Sequence, residues 1–190
     1  VSSFDVRSST KEQVESLGAE FVSLETSEEA QTTGGYAEEM SEDFYQHEHA
    51  IISEHLPTTD AVITTAQIFG KRAPLLITEE MVQTMRYGSV IVDLAAEQGG
   101  NCELTVPGKS VERHGVNILS PLDLPSSLSY HTSEMFSRNV TALLTEMLNA
   151  GELNIDLEDE VVNGTMLTHE GKIMNQHVID LLERDKEENS

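Results

Sequence analysis

The sequence predicts an α/β fold built on a doubly wound parallel sheet. Short apolar runs at residues 61–66 and 89–94 are of the kind that a parallel strand buried on both faces requires. Helix-patterned segments lie between and beyond them, so strand and helix alternate along the chain.

The elements follow in order. Val1–Asp5 reads as the end of a strand, with the expectation that the chain starts partway through its fold. Thr10–Leu17 carries Lys, Glu and Gln around Val14 and Leu17, and Gly18 supplies a stop, which predicts a short helix. Phe21–Leu24 reads as a second strand. Glu25–Gly35 is polar, ends in Gly34-Gly35, and reads as a mobile loop. Phe44, Tyr45, Ile51, Ile52 and Leu56 recur at helical spacing over Ser41–Leu56, with Ser41 as N-cap and Pro57 beyond the end. Thr78–Met85 combines a Thr cap with Glu79 and Glu80 in the first turn, where the helix dipole favours acids. Val116–Leu119 is a further strand, and Glu134–Leu148 a helix with Phe136, Val140, Leu143, Leu144 and Met147 on one stripe. Leu157–Val162 and Gly164–Thr168 flank Asn163-Gly164, a favoured hairpin turn, and Val178–Leu182 reads as a short helix. The expected organisation is a sheet domain over 1–150, a C-terminal hairpin and helix appendage over 151–183, and a charged linker or tail over 184–190.

Composition narrows the function. The 190 residues are 38% apolar, enough for a core, and their net charge of −23 disfavours nucleic acid and anionic membrane surfaces as partners. Cys102 is the lone cysteine, so one chain can build neither a disulfide nor a multi-thiolate metal site. His47, His49 and His55 lack the His-x-x-x-His spacing that would put two rings on one helix face, and no metal is expected. Walker, nucleophile-elbow and paired-carboxylate signatures do not stand out.

Candidate binding residues gather at the ends of the expected strands. Asp5 ends one, where an acid can accept hydrogen bonds from adenosine ribose hydroxyls and repel a 2′-phosphate, favouring NAD over NADP. Any Asp ending a strand looks the same, and the glycine turn that ordinarily precedes such an acid by about 20 residues is absent from this sequence. Gly35 beside Tyr36 joins a permissive backbone to a flat side chain, although a loop tip has the same composition. Thr65 and Ala66, small residues at a strand end, leave room for a nucleotide. Glu97 follows another strand and is either a polar group near the nicotinamide or a solvated carboxylate. Cys102 reads as a packed small hydrophobe.

Several strings occur in a telling order: Asp5-Val6-Arg7, Thr10 to Gly18, Gly34-Gly35-Tyr36-Ala37, Ile63-Thr64-Thr65-Ala66, Gly88 to Leu94, and Glu97-Gln98-Gly99-Gly100-Asn101-Cys102. Together they resemble the NAD(H)-binding domain I of the proton-translocating NAD(P) transhydrogenase alpha subunit, in the alanine dehydrogenase/transhydrogenase family, from about residue 3 to residue 173. The resemblance implies a Rossmann-like sheet truncated at its N-terminus, without its first strand and glycine-rich turn. It implies NAD(H) in a cleft between two lobes, the 151–183 segment packing with the other lobe, and hydride transfer to NADP(H) on a partner domain. The implied partners are that NADP-binding domain or beta subunit, a membrane domain, and a second copy as a homodimer, at the cytoplasmic side of the inner membrane.

By this resemblance Asp5, Val6 and Arg7 match the adenosine-ribose segment, Gly35 and Tyr36 the mobile loop, and Thr65, Ala66 and Gln67 a strand-end contact. Glu48 stands where the family has Gln, Gln67 where it has an aliphatic residue, and Phe69 where it has Pro before Gly70. The first two touch cofactor positions. The family's nicotinamide-side Arg, Gln and Asp precede the start of this chain, so no catalytic residue is assigned. Alanine dehydrogenase, whose catalytic acid would match Glu97, is the nearest alternative, and a noncatalytic nucleotide-binding domain is another.

Overall fold

Residues 1–23, 42–68 and 70–188 are described by the computed structural model, without side-chain detail at 42, 43 and 184–188. The chain divides into two units, Val1–Leu124 and Pro125–Ser190. The first holds the sheets expected from the apolar runs. β1 (Ser2–Phe4) leads through a 3-10 turn into α1 (Lys11–Ser16), and β2 (Glu20–Val22) returns parallel to β1, Ser2 opposite Glu20. α2 (Glu42–His55) then precedes β3 (Ala61–Thr64), α3 (Glu79–Gln83) and β4 (Val90–Asp93). β5 (Ser110–Arg113) and β6 (Val116–Leu119) complete a four-stranded sheet in the order β3-β4-β6-β5.

Strands β3, β4 and β6 are mutually parallel, as expected from runs with no polar alternation. β5 was not foreseen. It pairs antiparallel with β6 across a tight turn at His114 (φ 55°) and Gly115 (φ 79°), and two successive left-handed residues give the turn that suits a twisted hairpin. The edge of the sheet is therefore antiparallel. α3 starts where the Thr78 cap predicts, its hydroxyl accepting from the Met81 N–H at 3.4 Å.

Helix α3 and the sheet share one core. Val82, Ile91, Val116 and Ile118 are fully buried, with Ile77, Met81, Met85, Leu56 and Cys102 packed around them. Full burial of each such side chain contributes about 1.5–3 kcal/mol, and alternate residues of β6 pack inward while Asn117 points out.

The second unit departs from expectation. No hairpin forms at Asn163-Gly164. Both residues lie inside α6 (Glu160–Thr165), because Asp159 accepts from the Val161 and Val162 N–H groups at 2.9 and 2.8 Å and so caps a helix just where a strand was expected. Before it come α4 (Leu124–Ser127), which begins at the last residue of the first unit, then α5 (Ser129–Glu146) and the two-residue strands β7 (Leu148–Asn149) and β8 (Glu152–Leu153). The hairpin character appears at Ala150-Gly151 and again at Glu170-Gly171, between β9 (Thr168–His169) and β10 (Lys172–Ile173). Each turn carries positive φ at both residues. α7 (Gln176–Glu188) is longer than Val178–Leu182 and takes in most of the expected tail, since Glu, Arg and Lys are good helix formers however charged. The division after Leu124 also falls ahead of α5, earlier than residue 150, because α5 packs with α6 and β7.

The Ser41 cap, the Glu25–Gly35 loop and Phe69 lie outside the described residues. No helix among the described residues is long and apolar enough to cross a membrane.

Candidate functional site

Among the described residues β1 pairs only with β2, and β3 is the end strand of its sheet, so each keeps one unpaired edge. Residues of both strands line one cavity of about 530 Å³, and α2 lines it as well. The cavity runs along the whole of β1 and β3, from Ser2 and Ala61 to the carboxyl ends where Asp5 follows β1 and Thr65 follows β3, and it reaches His55 and Leu56 at the far end of α2. The cavity thus gathers Asp5 to Arg7, Glu48, and Thr65 to Gln67 from three separate stretches of the sequence.

Asp5 and Arg7 form one unit. Asp5 accepts from the Arg7 backbone N–H at 2.9 Å, from Nε at 3.0 Å and from Nη2 at 2.8 Å. Burial pushes the Asp5 carboxyl up, but the Arg7 hydrogen bonds and charge outweigh it and hold the group below the ordinary carboxylate value. Asp5 is therefore a fixed anion near neutral pH. A carboxylate has about four acceptor positions, and these three donors leave room for a further hydroxyl.

Glu48 has the opposite character. It is 3% exposed, and Oε2 has no hydrogen-bond partner among the described residues. Burial pushes its carboxyl up to about 7. One cavity is therefore lined by one carboxylate whose charge is favoured and one whose charge burial disfavours.

The strand-end loop Thr65–Gln67 is fastened from behind by residues not singled out in the sequence. Asp93 at the end of β4 is fully buried and accepts from the N–H groups of Ala95, Asn101 and Cys102 and from the hydroxyls of Thr64 and Thr105. Asn101, also fully buried, accepts from the Ala66 N–H at 3.0 Å and donates to the Ala66 and Pro74 carbonyls at 2.9 and 2.8 Å. The carboxylate thus positions the amide, and the amide positions the loop. Gly100 makes this possible: its φ is +83°, and a Cβ there would lie 2.7 Å from Asp93 Oδ2. The available signal was an Asp closing a buried strand and followed by Gly99-Gly100-Asn101.

Other candidates stand apart. Glu97 does not line the cavity; its Oε1 accepts from the Asp123 N–H at 2.9 Å. Gly35 and Tyr36 lie outside the described residues. Cys102 is 2% exposed in the core, and burial pushes its thiol above the ordinary value, which suits packing rather than nucleophilic attack. His49 Nε2 lies 2.7 Å from the Leu75 carbonyl and His55 Nδ1 2.9 Å from that of Ile51, so these rings serve the backbone, and no metal-binding cluster occurs among the described residues.

The family model described as alanine dehydrogenase/PNT, C-terminal domain, matches residues 1–176. The NAD(P) transhydrogenase subunit alpha of Cereibacter sphaeroides is 48% identical over 176 residues, covering 90% of this chain and 34% of that protein. Alanine dehydrogenase of Bacillus subtilis (strain 168) is 31% identical over 133 residues, covering 67% of this chain and 35% of that protein. The crystal structure of transhydrogenase from Sinorhizobium meliloti superposes with a TM-score of 0.66 at 38% identity, covering 91% of this chain and 45% of that one. The chain spans less than half the length of the curated relatives it matches.

Proposed function

Because the chain belongs to the alanine dehydrogenase/PNT C-terminal domain family, we propose that it is the NAD(H)-binding part of a proton-translocating NAD(P) transhydrogenase. The observation that carries this is the convergence of Asp5 to Arg7, Glu48 and Thr65 to Gln67 on one cavity, with Asp5 and Thr65 each just past the carboxyl end of a parallel strand, the edge at which such sheets take nucleotides. Asp5, held ionised by Arg7, accepts ribose hydroxyls and disfavours a 2′-phosphate, which selects NAD over NADP. The Asp93–Asn101 pair keeps the Thr65–Gln67 backbone in place against the ligand. The bound nicotinamide supplies the hydride, and this chain's residues bind and orient its adenosine end. No catalytic residue is assigned to this chain.

The facing unpaired edges of β1 and β3 are read as the place of one more parallel strand, whose following turn would meet the pyrophosphate. In this reading the 151–183 segment packs with a second lobe of the NAD(H) domain. The hydride acceptor is NADP(H) on a partner domain or beta subunit, proton movement belongs to a separate membrane domain, the assembly contains two copies, and this chain stands at the cytoplasmic side of the inner membrane. The greater identity and coverage with transhydrogenase than with alanine dehydrogenase support it.

The test supplies the protein that carries this sequence with NADH and, in parallel, an NADP analogue on an added NADP-binding domain, or pyruvate with ammonium. Reduction of the NADP analogue is expected. Oxidation of NADH by pyruvate and ammonium, with none by the NADP analogue, would replace the transhydrogenase reading by alanine dehydrogenase.

A further inference from the structure

The extended backbone of β3 continues past the end of its neighbour. The Val90 N–H donates to the Asp60 carbonyl at 3.0 Å and the Leu94 N–H to the Thr64 carbonyl at 2.9 Å, which mark the two ends of the ladder between β3 and β4. In a parallel strand the backbone groups that face one neighbour recur at every second residue. Asp60, Val62 and Thr64 therefore turn theirs to β4, and Ala61 and Ile63 turn theirs to the open edge. Ala66 is the next residue on the β4 side. By then β4 has ended at Asp93, and its chain has turned away into the 3-10 helix Ala96–Gln98.

Asn101 occupies the vacated place. Its Oδ1 accepts from the Ala66 N–H at 3.0 Å and its Nδ2 donates to the Ala66 carbonyl at 2.9 Å, the acceptor and donor that a neighbouring strand would offer. A second Nδ2 bond goes to the Pro74 carbonyl at 2.8 Å, and a turned-over amide would set like groups against each other at Ala66. Asp93 holds the backbone that carries this amide, accepting from the Asn101 N–H at 2.8 Å. Both side chains are fully buried, where unmatched polar groups are costly. With Ala66 committed to Asn101, the alternation puts the N–H and C=O of Thr65 on the opposite side, that of the unpaired edge. Thr65 is exposed, lines the cavity, and has neither group hydrogen-bonded among the described residues.

We propose that Asn101 is a positioning residue for the nucleotide: its amide stands in for the strand residue that β4 does not supply and carries the β3 register one step beyond Thr64. The Thr65 N–H and C=O are thereby held toward the cavity as a donor and an acceptor for a ribose hydroxyl of NAD(H). This rests on the cavity being the NAD(H) site. A hydroxyl both donates and accepts, so it matches the two groups of one residue. Asn101 itself does not line the cavity and acts through Ala66. Without its amide the Ala66 N–H and the Ala66 and Pro74 carbonyls lose their partner, and the Thr65–Ala66 peptide can rotate toward water. Binding must then restore an orientation that Asn101 sets in advance.

The experiment uses the protein that carries this sequence and measures three things: NADH affinity by calorimetry, stability by urea unfolding, and amide exchange at single residues by NMR. In the wild type the Ala66 amide is expected to exchange slowly with or without NADH, while the Thr65 amide exchanges fast in the free protein and is slowed by NADH. Asn101→Asp keeps an acceptor for the Ala66 N–H and loses both donations; Asn101→Ala loses all three bonds. Each is expected to weaken NADH binding about tenfold, the scale of one hydrogen bond to the ligand, and to speed exchange at Ala66. Ser89→Ala removes a different buried hydrogen bond, to the Arg86 carbonyl at the far end of β4, and is expected to lower stability without changing NADH affinity. Unchanged affinity in both Asn101 variants overturns the proposal and leaves the nucleotide site intact. An affinity loss in Ser89→Ala that matches theirs at equal stability loss also overturns it, since the role is then structural alone. NADH that slows Ala66 and not Thr65 shows the register to be wrong. Failure of NADH to bind the wild type removes the site reading and this proposal with it. The wild-type exchange at Thr65 and Ala66 decides the matter even where the Asn101 variants do not fold.

Discussion

Two acids in one cavity are set apart by their neighbours. Asp5 is the acceptor partner of an arginine two residues away, and replacing it by Asn removes the charge that both grips Arg7 and faces the ligand. Asp5→Asn is expected to weaken NADH binding by about 1–3 kcal/mol, the scale of a lost charge-assisted hydrogen bond, and to narrow the preference over NADPH. Titration of both nucleotides checks this, and unchanged affinities would remove Asp5 from the site. Glu48 also marks stability. Its pKa rises from 4.5 in the unfolded chain to about 7 in the fold, so between those values the unfolded state holds fewer protons and stability falls as pH rises. Up to about 3 kcal/mol present below pH 4.5 is lost by pH 8. Urea unfolding at pH 5 and pH 8 should show the drop in the wild type and not in Glu48→Gln; equal drops would place the titrating group elsewhere.

Elements whose apolar runs match their burial were legible in the sequence. β3, β4 and β6 each fall within or on the expected run, and α3 starts at the foreseen Thr cap, because burial on both faces and capping are local signals that tertiary contacts reinforce. Where two local signals competed, the sequence misled. Asn163-Gly164 is a strong turn pair, but Asp159 four residues earlier is a strong helix cap, and the cap won because it satisfies two N–H groups at once. β5 was missed because Ser110-Val111-Glu112-Arg113 has one apolar residue, as an edge strand open to water permits. The site divides in the same way. Strand-end residues such as Asp5 and Thr65 are visible from position alone, whereas the Asp93–Asn101 pair acts through backbone groups of other segments, which no spacing records. Glu97 shows the complementary limit: a strand end puts a residue at the edge without deciding which way its side chain turns, and here Oε1 accepts from the Asp123 N–H.

At the scale of the molecule, the two edges that line the cavity make a further prediction. β4 has neighbours on both sides, β3 and β6, so all its amides are candidates for the ladder. β1 and β3 have one neighbour each, and in a parallel strand alternate amides point to opposite sides, so about half of theirs face the cavity unpaired. Ile63, a β-branched residue within β3, is 67% exposed, where a strand with neighbours on both edges and cover on its faces would bury it. Hydrogen exchange on this chain is therefore expected to be slowest at Val90–Asp93 and markedly faster at Ser2–Phe4 and Ala61–Thr64. A longer form of the protein that supplies a strand between them should bring β1 and β3 to the protection of β4, because that strand would give partners to both edges at once. A one-sided gain, at β1 alone or β3 alone, would mean a strand that docks on one sheet without joining the two. No gain at either edge would show that the cavity is closed by something other than a strand, and would leave the pyrophosphate without the turn assigned to it.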